Sequence, residues 1–109
     1  MTEITFDGLR MQAKGHAGFA KYGEDVVCAG LSTLFVTVAE IIVEMRDEGL
    51  LAEEPEVKLC SGEVVLAMEP RERGRYKAEM LWEFLGTGVR LLAERYPQYV
   101  VITSADADE

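Results

Sequence analysis

Apolar and polar residues alternate along the first part of the chain. In residues 4–6 and 9–14 every second side chain is apolar, namely Ile4, Phe6, Leu9, Met11 and Ala13. A period of two is typical of a strand with one buried face. The dipeptide Asp7-Gly8 between the two runs favours the tight turn of a hairpin. The pattern therefore predicts an antiparallel hairpin with one apolar and one polar face.

Two longer segments have the period of an amphipathic helix. In residues 25–48 and 75–95, apolar side chains recur at steps of three and four positions. The first segment carries Val27, Leu31, Leu34, Phe35, Val38, Ile41, Ile42 and Met45, and the second carries Ala78, Leu81, Leu85, Val89 and Leu92. Gly86 and Gly88 each weaken the second helix by about 1 kcal/mol relative to alanine, so we expect close contact with the first helix to compensate.

Three further runs, residues 57–60, 63–68 and 99–103, are typical of short strands. The first two are joined at Ser61-Gly62, a second tight hairpin. The element order is then ββαββαβ, and we predict an α+β fold: a two-layer sandwich of one mixed sheet and two long helices. Residues 1–103 are predicted to form a single domain, followed by an acidic, disordered tail at 104–109.

The charge balance narrows the possible partners. The 109 residues include 11 Lys and Arg against 20 Asp and Glu, which gives a formal net charge of −9 at pH 7. Nucleic-acid binding calls for clustered positive charge, so we expect no nucleic-acid partner. An acidic protein attracts basic partners instead.

One apolar run, residues 26–43, nears the length of a membrane span and contains a single charge, Glu40. Ser32, Thr33 and Thr37 interrupt it, which favours a helix buried within the protein. The opening MTEITFDG lacks the basic start and the long apolar segment of a signal peptide. We therefore predict a cytoplasmic protein with no membrane partner.

Candidate chemistry is concentrated in residues 15–32, GHAGFAKYGEDVVCAGLS, which contain the only histidine and one of the two cysteines. A free cysteine such as Cys28 most often packs as a small apolar side chain. With Asp25 as the predicted cap, however, Cys28 falls in the first turn of a helix, where the dipole lowers the pKa of a thiol. That position favours a nucleophile.

His16 follows Gly15 at the end of the second predicted strand. A lone loop histidine is most often a solvated surface residue. A neutral imidazole can nevertheless take a proton from a thiol and later give it to a leaving amine. The glycine-rich loop between His16 and Cys28 allows the two side chains to meet, although a separation of twelve positions does not establish contact.

Other polar residues near this pair have two interpretations each. Ser32 lies one helical turn after Cys28 on the same face, and it either serves the site or bonds back to a helix carbonyl. Asp25 either caps the helix or also orients His16. Cys60, beside the second hairpin, is interpreted as structural. Neither metal-ligand spacing nor a phosphate-binding glycine pattern occurs, so we expect no metal and no cofactor.

The stretch GHAGFAKYGEDVVCAGLS resembles the signature of the ribosomal-processing cysteine protease family, Prp. The shared pattern is Gly-His-Ala-Gly-aromatic-Ala, then Gly, one residue, Asp, two β-branched residues, Cys, two small residues, one apolar residue and Ser. The preceding hairpin and the ERYPQYV near the end extend the resemblance over nearly the whole chain. Phe19 stands where tyrosine is common, and Gly30 stands where alanine is usual.

The resemblance implies a cysteine endopeptidase with His16 and Cys28 as the catalytic pair. It implies Asp25 and Ser32 as supporting residues, and Gly15 as the hinge of a loop that closes over substrate. It also implies a homodimer. The implied substrate is the N-terminal extension of a large-subunit ribosomal protein, cut after a short hydrophobic motif.

Two other functions are compatible with the residues. One is a non-enzymatic ribosome-assembly module, an acidic domain that binds a basic ribosomal protein tail. The other is a redox-sensing thiol, which requires Cys60 to lie close enough to Cys28 to act as its resolving partner.

Overall fold

The computed structural model describes residues 1–15 and 24–104. Its elements are β1 (Thr2–Phe6), β2 (Arg10–Lys14), α1 (Glu24–Asp47), β3 (Glu56–Cys60), β4 (Glu63–Ala67), a 3-10 turn (Glu72–Gly74), α2 (Arg75–Arg95) and β5 (Val100–Ser104). The predicted order ββαββαβ and the α+β class are confirmed. Residues 105–109 of the predicted tail lie outside the described residues.

The five strands form one mixed sheet in the order β3-β4-β2-β1-β5. Neighbouring strands are antiparallel except β1 and β5, which are parallel. A parallel pair needs a long connection, and here the intervening chain supplies both helices and the second hairpin. The hairpin β1–β2 thereby lies in the middle of the sheet.

The first hairpin turns one residue later than predicted. Asp7 and Arg10 exchange backbone hydrogen bonds of 2.9 and 3.1 Å, so that Gly8 and Leu9 form the turn. Gly8 has a φ of 57°, and a glycine with positive φ at the first turn position suits a type II′ turn. The predicted Asp7-Gly8 turn is therefore wrong, whereas the face assignment holds because both registers keep the apolar residues together.

One face of the sheet carries the core. The inward strand residues Ile4, Met11, Ala13, Leu66 and Val100 form a single buried cluster with apolar side chains of both helices. Alternate positions such as Arg10, Gln12 and Lys58 lie on the opposite face, which we call the open face. Both helices thus pack on the same side of the sheet, as a two-layer sandwich requires.

Polar side chains on the open face form ion pairs and hydrogen bonds with one another. Arg10 pairs with Glu56, and Lys58 pairs with Glu63, each at 2.7 Å. Gln12 donates a hydrogen bond of 3.1 Å to Glu63. Exposed pairs of this kind contribute little stability individually, so the fold depends on the core on the other side.

Of the helices in the described part of the chain, α1 is the one long and apolar enough to cross a membrane by length and composition, over Val26–Asp47. Its apolar stripe faces the protein, however. Val27, Val38, Ile42 and Met45 are at most 1% exposed within the core. Core helices of globular proteins commonly pass the same compositional test.

The two glycines of α2 differ in their surroundings. A Cβ added at Gly88 would lie 2.8 Å from both terminal methyl groups of Leu34 on α1, whereas one added at Gly86 would meet nothing within 4 Å. The expected close contact with α1 is therefore confirmed for Gly88 and wrong for Gly86.

This difference gives a test of helix packing. Gly86→Ala is expected to raise the free energy of unfolding by about 0.5–1 kcal/mol, because alanine has the higher helix propensity and open space to occupy. Gly88→Ala is expected to lack that gain, because its methyl group displaces Leu34 from its packed position. Urea unfolding of both variants measures the difference. Equal gains at the two positions would contradict the packing described.

Candidate active site

Cys28 lies near the start of α1. The helix begins at Glu24, one residue before the predicted cap Asp25, so Asp25 is the second helical residue and Cys28 is the fifth. The first four backbone N–H groups of a helix have no partner within it. In α1 these belong to residues 24–27. Cys28 is half-buried, and its thiol is free.

A groove of about 210 Å³ runs between the N-terminal part of α1 and the sheet. We call it the Cys28 groove. Its walls come from α1, from the hairpin β3–β4 and from the adjacent ends of β1 and β2. The lining residues are Thr2, Ala13, Gly15, Cys28, Leu31, Ser32, Phe35, Cys60, Ser61, Gly62, Glu63 and Val64.

Three of the five predicted site residues line this groove. Cys28 and Ser32 come from successive turns of α1, and Gly15 comes from the end of β2. Ser32 is exposed at the rim. His16 lies outside the described residues. Asp25 lies in the first turn of α1, three residues before Cys28.

Gly15 is held tightly at the end of β2. Its N–H donates a 3.0 Å hydrogen bond to the carbonyl oxygen of Gly62. Its φ of 97° is in a region that favours glycine, and a side chain there would collide with the carbonyl oxygen of Met1. The position where the chain leaves the sheet, immediately before His16, is therefore fixed by backbone contacts on both sides.

The Cys28 groove continues as a second, more apolar cavity of about 240 Å³, which we call the apolar extension. The two share Ser32, Phe35, Cys60, Ser61 and Val64. Val36 and Leu59 complete the extension and are 55% and 46% exposed. Sequence analysis did not identify these two residues, because exposure of an apolar side chain depends on how α1 lies over β3.

Thr2 is a third residue of the site that could not be identified from the motifs in the sequence. It lines the Cys28 groove, and among the described residues it is the buried polar one, at 9% exposure. Its position in the strand alternation does give a signal, because Thr2 has the same parity as the buried Ile4.

The acidic group at the groove, Glu63, is paired. The hydrogen bond from Lys58, followed by that from Gln12, holds the pKa of Glu63 below its ordinary value of 4.5. The same contact raises the pKa of Lys58. Glu63 is consequently a carboxylate at neutral pH. Within residues 1–15 and 24–104, no group of three or more His, Cys, Asp or Glu could hold a metal ion.

Cys60 lies across the groove from α1 and belongs to the lining of both cavities. Strand alternation places Leu59 on the core side of β3 and Lys58 with Cys60 on the open face. Both cysteines are free thiols, with Cys28 half-buried and Cys60 exposed.

Comparison of the sequence with known protein families gives a match over most of the chain. The sequence profile described as cysteine protease Prp matches residues 1–101. The chain belongs to the cysteine protease Prp family. It is a cysteine protease, and the resemblance stated from residues 15–32 is confirmed. A search of curated protein sequences returns no significant match.

Solved structures share the fold at low identity. The ribosomal processing protease Prp from S. aureus with a substrate peptide matches with a TM-score of 0.70 and 17% identity over 94% of this chain and 96% of that chain. The S. aureus protease with a covalently linked product peptide gives 0.67 and 20% over 94% and 96%. SMU.848 from Streptococcus mutans gives 0.66 and 22% over 94% and 90%.

The pairing of Glu63 leads to a pH prediction. In Lys58→Met the pKa of Glu63 is expected to rise toward 4.5, because its main hydrogen-bond donor is lost. The lowered pKa of Glu63 stabilises the folded state above about pH 4.5. This stabilisation is lost as the pH falls through the pKa that Glu63 has in the folded protein. NMR titration of the Glu63 carboxyl carbon measures the shift. Lys77→Met, which removes a pair with Glu48, is the control; an unchanged Glu63 titration in Lys58→Met would refute the assignment.

Proposed function

We propose that this protease removes the N-terminal extension of a large-subunit ribosomal protein, with Cys28 as nucleophile and His16 as general base and acid. The observation that carries the proposal is the free, half-buried Cys28 thiol in a groove at the start of α1. The other cysteine, Cys60, also lines the groove but lies at the end of a strand and is exposed.

The reaction begins when His16 takes the thiol proton and the Cys28 thiolate attacks the carbonyl carbon of the scissile peptide bond. Negative charge then develops on the carbonyl oxygen. Backbone N–H groups of residues 24–27, which lack partners within α1, are suited to stabilise that charge. As the C–N bond breaks, the imidazolium of His16 gives its proton to the leaving amine.

The second half of the reaction releases the thioester. His16 takes a proton from water, and the resulting hydroxide attacks the carbonyl carbon of the acyl-enzyme. The C–S bond breaks, the peptide leaves with a new C-terminal carboxylate, and the proton held by His16 returns to the pair. The second proton of the water molecule leaves to solvent when the new carboxylic acid ionises.

The remaining predicted site residues take supporting roles in this proposal. Ser32, one turn along α1, shares the groove with Cys28 and can hydrogen-bond substrate at the rim. Gly15 acts as the hinge of the segment that contains His16; its positive φ and its bond to Gly62 support a fixed pivot there.

Three observations support the proposed substrate. The apolar extension suits an apolar side chain of a peptide near the scissile bond, in line with cleavage after a hydrophobic motif. The net charge of −9 favours a basic protein as substrate. The S. aureus relative is described as a ribosomal processing protease. We place the reaction in the cytoplasm, where ribosomal proteins are made.

A homodimer also belongs to the proposal. The outer side of α2 leaves four large side chains substantially exposed: Tyr76, Met80, Phe84 and Leu91. An unpaired apolar helix face of this kind supports association with a second copy.

Cleavage by variants tests the function directly. Incubation with the extended ribosomal protein of the same organism is expected to give one defined cut, read by mass. Cys28→Ala is expected to lower kcat/KM by at least about a thousandfold, as removal of a nucleophile does in other proteases. His16→Ala is expected to lower it by about a hundredfold or more, because proton transfer is lost.

Cys60→Ser is the matched control, since it removes the other thiol and leaves the proposed chemistry intact. Full cleavage by Cys28→Ala would overturn the proposal. The assembly-module alternative predicts no cleavage by the wild type, and it predicts that Cys28→Ala binds the ribosomal protein and supports ribosome maturation as well as the wild type does.

The role of Asp25 is tested separately. We propose that Asp25 stabilises α1 from its position in the first turn, because a negative charge near a helix N-terminus interacts favourably with the helix dipole. Asp25→Asn is then expected to reduce stability by about 0.3–1 kcal/mol and to leave kcat nearly unchanged. A fall in kcat of about a hundredfold with a shifted pH–rate profile would instead assign Asp25 to the orientation of His16.

A further inference from the structure

Thr2 is a mostly buried polar residue that lines the Cys28 groove. Its side chain belongs to a residue that is 9% exposed. Its backbone is satisfied, since its N–H donates a 2.8 Å bond to the carbonyl oxygen of Tyr99. No hydrogen bond joins its hydroxyl to another side chain among the described residues, and it is not a fully buried unpaired atom, a set that in this part of the chain holds Trp82 Nε1. With 9% of its surface exposed, Thr2 can be reached by a ligand in the groove that it lines.

The alternation of β1 shows where this hydroxyl points. Ile4, two residues on, is fully buried in the core under the helices. Thr2 therefore faces the same side, toward α1, and not the open face. Because Glu3 pairs with Lys14, Thr2 also lies next to Gly15 at the end of the sheet. All three of Thr2, Gly15 and Cys28 line the Cys28 groove.

Other polar groups of the groove are accounted for differently. Glu63 is engaged by Lys58 and Gln12, and Ser32 and Ser61 are exposed at the rim. The remaining walls near Thr2, including Ala13, Leu31 and Phe35, are apolar. A groove of this type holds its ligand by apolar contact and fixes its orientation with a few buried polar groups.

We propose that Thr2 is a substrate-binding residue whose hydroxyl hydrogen-bonds the main chain of the peptide in the Cys28 groove. A peptide backbone offers both a carbonyl acceptor and an N–H donor, and a threonine hydroxyl can serve either. The bond would fix the depth and the direction of the peptide beside the thiol. This inference rests on the proposed function only in taking Cys28 as the nucleophile.

The experiment compares three variants. Thr2→Val keeps the shape of the side chain and removes the hydroxyl; Thr2→Ser keeps the hydroxyl; Thr5→Val makes the same change on the exposed face of the same strand. For peptide cleavage, Thr2→Val is expected to lower kcat/KM about tenfold, chiefly through KM, as loss of one buried hydrogen bond does. Thr2→Ser and Thr5→Val are expected to remain near the wild-type value.

A second measurement does not depend on the ribosomal substrate. Cys28 is alkylated with a peptidyl chloromethyl ketone and, separately, with iodoacetamide, which is too small to use the groove. Thr2→Val is expected to slow the peptidyl reagent about tenfold and to leave the iodoacetamide rate unchanged. The ratio of the two rates isolates peptide seating from thiol reactivity.

Several outcomes would overturn the inference. An unchanged rate ratio in Thr2→Val would do so, as would a wild-type enzyme that shows no preference for the peptidyl reagent. Equal slowing by both reagents, or loss of the Thr2→Ser rescue, would assign Thr2 a purely structural role. If the ribosomal protein is not cut but the rate ratio still depends on Thr2, the proposed substrate fails and the role of Thr2 stands.

Discussion

Burial of the first turns of α1 against the sheet is the constraint on which the site depends. Val27 and Leu31 are 1% and 4% exposed, and they flank Cys28 along the helix. Because successive helical residues differ by about 100° in direction, seating these two in the core leaves Cys28 at the helix edge, half-buried and next to the groove. Apolar burial on one side of the turn thus positions a reactive thiol on the other.

The opposite wall of the groove is built from segments far apart in sequence. The bond from Gly15 to Gly62 joins the end of β2 to the tip of the hairpin β3–β4. The tip of the hairpin lies opposite α1 and forms one wall of the groove. The end of β2 and Gly15 form the adjacent part of the wall, immediately before His16 in the sequence. Neither segment could hold this geometry alone, because a short hairpin is marginal without a packed face. The central place of β2 in the sheet supplies the rigidity.

The two faces of the sheet differ in polarity: one carries exposed ion pairs, and the other carries the core and the candidate site. Ion pairs such as Arg10–Glu56 and Lys58–Glu63 lie on the open face, where their charged groups remain hydrated. Among the buried residues that the structure describes on the helix-facing side, Thr2 at the groove is the polar one. An otherwise apolar surface strengthens the few hydrogen bonds made on it, which suits a site that must hold a peptide main chain beside Cys28.

The sequence by itself determined the element order, the α+β class and the buried stripes, because periods of two and of three to four are local properties of side-chain direction. It also placed Cys28 and Ser32 on one helical face. It did not determine the register of the first hairpin, since shifting the turn from Asp7-Gly8 to Gly8-Leu9 keeps the same face buried. Nor did it reveal Thr2, Val36 or Leu59 as groove residues, or that Cys60 lies opposite α1 in the lining of the groove. Those depend on which strand lies under α1, and only the packing of distant segments decides that.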